Sequence, residues 1–100
     1  MDLPRITHRQ YAVLGAIGGE SISGRELRKQ LKRAGIRHSR GAFYQLMARL
    51  EDGGFVEPSE EDVLIGDQRY KERWYRLSGD GANAMREVEM YYARGGQEYA

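Results

Sequence analysis

Apolar residues recur at helical spacing through the first half of the chain, and beyond residue 54 the pattern changes to that of strands. Tyr11, Val13, Leu14 and Ile17 fall on one helical face, the mark of an amphipathic helix packed on a core. Thr7-His8-Arg9-Gln10 precedes them in the form of a capping box, in which each side chain satisfies a backbone N–H that the helix leaves free. Gly18-Gly19 supplies a stop, so the spacing predicts a helix over residues 8–18. Ser23-Gly24-Arg25-Glu26 repeats the capping-box form, Leu27, Leu31 and Ala34 make the stripe behind it, and Gly35 closes the second helix. Its opposite face carries Arg25, Arg28, Lys29, Lys32 and Arg33, and Ser21-Ile22-Ser23 ahead of it reads as a brief strand with Ile22 inward. A third helix starts at the N-cap Ser39. Phe43, Leu46, Met47 and Leu50 form its inward stripe and Gly53-Gly54 ends it. That leaves Arg40, Gly41, Tyr44, Gln45, Ala48 and Arg49 facing out.

Beyond Gly54, Phe55-Val56-Glu57 and Arg73-Trp74-Tyr75-Arg76-Leu77 read as strands from their β-branched and aromatic content. Pro58, an acidic stretch whose Glu60-Glu61-Asp62 reads most simply as a solvated loop, Val63-Leu64-Ile65 and Gly66-Asp67-Gln68 lie between them, which predicts one long hairpin with its tip near Gly66-Asp67. Ser78 caps a fourth helix expected to run to about Arg94, with Ala84, Met85, Val88, Tyr91 and Tyr92 on its apolar face and Gly95-Gly96 as its end. Residues 1–96 are then one domain and residues 97–100 a flexible tail.

Helix, helix, helix, β-hairpin, helix is a mainly α chain with a β-hairpin, the order of a winged helix-turn-helix. A length of 100 residues with 40% apolar content allows one modest core. The net charge of +1 conceals a division. Residues 1–50 hold ten Arg/Lys against three Asp/Glu, and residues 51–62 hold six acids and no base. A basic first half suits a phosphate backbone. The link Gly35-Ile36-Arg37-His38 has the size of a helix-turn-helix turn, a motif that places its second helix in the major groove of double-stranded DNA. Arg40 then suits guanine and Gln45 adenine. Ser39, Gly41, Tyr44 and Arg49 on the helix, and Arg69, Lys71 and Arg73 on the wing, are the further candidate contacts. The competing reading is a protein–protein module, favoured by the acidic block in residues 51–62 and the near-neutral total.

The segment Ser39-Arg40-Gly41-Ala42-Phe43-Tyr44, continued by Leu50-Glu51-Asp52-Gly53-Gly54, resembles the recognition segment of the PadR-like winged-helix transcriptional regulators. Arg73-Trp74-Tyr75-Arg76-Leu77-Ser78-Gly79 is similar to their wing strand and the step that follows it. The resemblance covers about residues 7–94. It implies a DNA-binding regulator, a repressor in the simplest case, that dimerises through its C-terminal helix. Here that helix offers Met85, Val88, Met90, Tyr91 and Tyr92. It also implies, for some members, a small aromatic effector; alternation turns one of Trp74 and Tyr75 outward, where it would help to hold such a ligand, although a buried packing role is the favoured reading of this pair. Ala42 stands where the family usually has Thr or Ser, removing one hydroxyl, and Val63-Leu64-Ile65 lengthens the wing.

Other chemistry finds little support. His8 and His38 lie in unrelated segments without acidic or cysteine ligands at metal spacing, so no metal or cofactor is expected, and His38 is read as exposed. Nucleophile elbows, phosphate loops and paired catalytic carboxylates are missing, which argues against an enzyme. The absence of cysteine fits a reducing cytoplasm. No apolar run approaches the ~20 residues of a membrane span, and residues 1–5 do not form the start of a secretory signal.

Overall fold

The computed structural model describes residues 6–98, and side chains as far as Arg94. Residues 1–5 and 99–100, with the expectations placed on them, lie outside the described residues. The order is α1 (His8–Ile17), β1 (Ile22–Ser23), α2 (Gly24–Arg33), α3 (Arg40–Asp52), β2 (Val56–Ile65), β3 (Gln68–Leu77) and α4 (Gly79–Glu98). Strand order β1-β3-β2 puts β3 in the middle of an antiparallel sheet. This is a winged helix-turn-helix.

The helix starts follow from their caps. The Thr7 hydroxyl accepts from Gln10 N at 3.1 Å while Thr7 N donates to the Gln10 side chain at 3.0 Å. Ser23 and Ser39 accept from Glu26 N and Ala42 N, each at 3.1 Å. A cap of this kind is worth about 1 kcal/mol. The box at α2 lacks its return bond, since the Glu26 carboxylate instead lies 4.0 Å from Arg33. Ala34, expected in the α2 stripe, is an exposed C-cap.

Val13, Leu14 and Ile17 of α1, Leu27 and Leu31 of α2, and Phe43, Met47 and Leu50 of α3 meet in one core with Val56, Tyr75, Ala84 and Val88. Tyr75 faces this core and is 1% exposed, whereas its neighbour Trp74 points to the other face of β3 and is half-buried. The Trp74 Nε1 has no partner among the described residues.

The wing has the predicted length and tip, and it is more regular than the sequence suggested. Ten consecutive pairs run from Val56↔Leu77 to Ile65↔Gln68, so Glu60-Glu61-Asp62 is strand rather than loop and Val63-Leu64-Ile65 continues it. Gly66-Asp67 forms the turn, and Gly66 takes φ +63°, a conformation that costs glycine little.

At the far end, α4 continues through Gly95-Gly96 to Glu98, so the glycine pair does not end it, and two of the four residues expected in a flexible tail are helical. Glycine inside a helix costs about 1 kcal/mol relative to alanine. That is a penalty and not a stop, because stopping also requires the chain to leave the helical region. Among the described residues no helix is long and apolar enough to cross a membrane.

Candidate nucleic-acid interface

The turn between α2 and α3 is set by Gly35, at φ +83°, with Gly35 N and Ile36 N donating back to the Lys32 and Leu31 carbonyls at 3.0 and 2.8 Å. It delivers Ser39 to the solvent side as the cap of α3. Helix geometry leaves the N–H groups of Arg40 and Gly41 without intrahelical acceptors, and both residues are exposed. A Cβ added at Gly41 would meet nothing within 4 Å, so packing does not explain glycine there.

Arg40 and Tyr44 of α3, Arg25 and Arg28 of α2, and Lys71 and Arg73 of the wing line one groove of about 260 Å³, together with Val63, Tyr70 and Glu72. Gathering the cations of three elements gives this face a positive potential that reaches toward an approaching polyanion. A neighbouring hollow of about 480 Å³ has Leu31, Ile36 and Phe43 inside and Arg25, Arg28, Lys29, Lys32 and Arg37 around it. The Arg28 guanidinium stands 5.9 Å from the centre of the Phe43 ring, so part of its role is packing.

The expected residues divide clearly. Ser39, Arg40, Gly41, Gln45 and Arg49 are exposed on α3, and Tyr44 is half-buried with its ring against Gly24. Lys71 is exposed beside the groove, while Arg69, also exposed, lies nearer the wing tip and outside the groove lining. Arg73 is not a free cation. Its Nη2 donates to Glu51 at 2.7 Å and its Nη1 to Glu60 at 3.5 Å. The hydrogen bond to Glu51 raises the Arg73 pKa, against some loss from burial. Burial pushes the adjacent Tyr75 hydroxyl up to about 12, with the Arg73 charge acting against it.

The acidic block is therefore partly neutralised: Glu51 and Glu60 pair with Arg73, and Glu57 with Arg76. Arg25 and Arg28 were legible as the polar face of α2, yet nothing in their spacing showed that α3 and the wing would close on them. His38, expected to be exposed, is half-buried. Its pKa is lowered, first by burial and then by the Arg9 charge, and its Nε2 has no partner among the described residues.

On α4, Val88 is buried in the chain's own core and Met85 packs against that core. Met90 and Tyr92 are exposed, at 55% and 47%, and Tyr91 is half-buried. The Tyr92 hydroxyl lies 2.6 Å from the His8 Nε2, tying α4 to the start of α1.

A helix-turn-helix, a wing and a cationic groove between them define a winged-helix domain. The profile of the Transcriptional regulator PadR-like family matches residues 13–87, and the chain belongs to that family. A PadR-like transcription factor from Bacteroides fragilis superposes with a TM-score of 0.75 at 21% identity, over 91% of this chain and 85% of that one. A PadR family regulator from Eggerthella lenta gives 0.66 at 27% identity, over 91% and 80%. Bacillus subtilis PadR, solved in complex with operator DNA, gives 0.63 at 19% identity, over 81% of this chain and 46% of that one. Comparison with curated proteins found no match.

Proposed function

We propose that this protein is a sequence-specific DNA-binding regulator, formed by the single domain that α1 to α4 build, that represses by occupying its operator. The observation that carries the reading is the groove in which Arg25, Arg28, Arg40 and Lys71 converge beside the exposed N-terminus of α3. Helix α3 enters the major groove, where Arg40 and Gln45 address base edges. The free N–H groups at Arg40 and Gly41, the Ser39 and Tyr44 hydroxyls and Arg49 face phosphates, and the wing adds Arg69 and Lys71. A second copy docks through Met90, Tyr91 and Tyr92 on α4, giving the two-fold arrangement that palindromic half-sites require.

Selection of bound sequences from a random duplex pool tests this reading, with enrichment of a palindromic site expected. Failure to enrich any sequence would leave the protein–protein module as the better account. Gly41→Ala separates fold from function. With open space for its Cβ, the variant keeps or slightly raises stability, by up to about 1 kcal/mol, while binding to the selected site weakens because a phosphate can approach less closely. A thermal melt and a titration on the same sample check both halves. Arg40→Ala should relax the preference at one base position by about 1–3 kcal/mol, read by repeating the selection with the variant.

A further inference from the structure

We infer that Glu51 and Arg73 form a latch that fixes the wing against the recognition helix, so that Arg73 acts on DNA as a positioning residue rather than by touching it. The inference rests on the DNA reading above and gives a part in it to Arg73, which the sequence offered as a direct contact.

Glu51 lies in the last turn of α3 and Arg73 on the central strand β3, 22 residues further along the chain. Their 2.7 Å contact joins the two elements directly, and the Glu51 and Arg73 side chains are only 20% and 37% exposed. The second nitrogen of Arg73 reaches Glu60 across the hairpin, and its guanidinium stands 5.9 Å from the ring centre of the buried Tyr75. Both arms of the planar fork are thus directed at the protein's own carboxylates.

Two consequences follow. Alternation along a strand points Lys71 to the same face as Arg73, so anchoring Arg73 on α3 also determines where Lys71 stands relative to Arg40. The groove also brings Arg25, Arg28, Arg40 and Lys71 together, and like charges at such range repel. The Glu51–Arg73 bond opposes that repulsion with an attraction between α3 and β3, placed midway along the hairpin where Arg73 pairs with Glu60.

The test uses the full chain, E51Q, R73Q and the double variant. Each is titrated with the duplex recovered by selection and with a random-sequence duplex of equal length, over several salt concentrations. A latch predicts that each single variant loses about tenfold in affinity for the selected duplex and that the double variant loses no more than either single, as expected for residues acting through one interaction. Binding to the random duplex keeps its salt slope, so the preference for the selected site falls. General loss of folded protein would instead lower binding to both duplexes together. A direct phosphate contact by Arg73 would flatten the slope by about 0.9 in R73Q, while E51Q, with Arg73 released, would bind as tightly as the unmodified chain or more so. That result would overturn the latch. Failure of the unmodified chain to bind either duplex would overturn the DNA reading itself, and the latch with it.

Discussion

Gly81→Ala is expected to destabilise the protein severely. A Cβ at Gly81 would stand 2.0 Å from the backbone oxygen of Phe55 and 3.0 Å from its carbonyl carbon. Backbone on both sides leaves no flexible side-chain end to move aside. The contact occurs where the first turn of α4 crosses the base of the wing. There Ser78 N donates to the Phe55 carbonyl at 3.1 Å, and the Ser78 hydroxyl both donates to the Gly54 carbonyl and accepts from Gly81 N. Moving α4 outward would strain these bonds and loosen Ala84 and Val88 in the core. A loss of about 3 kcal/mol is the upper end of ordinary overpacking, and for a domain of this size it lowers Tm by roughly 15 °C. Gly79→Ala, two residues earlier with nothing within 4 Å of its Cβ, is the control and should melt near the unmodified protein. Equal melting of the two variants would show that α4 does not approach Phe55 this closely.

The second large effect concerns charge. Arg25→Ala combined with Lys71→Ala removes exposed groove cations from two elements, and neither side chain packs in the core. Stability should change little, as is usual for exposed positions. Duplex binding should weaken sharply, and the plot of log affinity against log salt should flatten by about 1.8, the loss of two phosphate contacts at ~0.9 each. Anisotropy titrations on a random-sequence duplex read both numbers. An unchanged slope would mean that DNA, if bound, lies elsewhere.

Much of the fold was legible because local signals agreed. Thr7, Ser23, Ser39 and Ser78 each cap the helix expected of them, and Phe43, Met47 and Leu50 are buried as their spacing required. The errors came where local signals compete with context. Gly95-Gly96 read as a stop, yet α4 passes through it. Glu60-Glu61-Asp62 read as loop, yet pairing with β3 draws it into strand. The candidate site was legible in part. Exposure of Arg40, Gly41 and Gln45 followed from the helical period, but the Glu51–Arg73 bond depends on how α3 crosses β3, which no spacing encodes. Val88 shows the same limit. Helical period placed it on the apolar face of α4, and only packing showed that this part of the face meets the chain's own core.

The central claim is that the α2–α3 face and the wing hold a phosphate backbone. The most direct measurement is the affinity of the unmodified chain for a random-sequence duplex across a salt series. At least three groove cations engaging phosphates predict measurable binding at low salt and a slope of about −2.7 or steeper. No binding at low salt, or binding indifferent to salt, would contradict it.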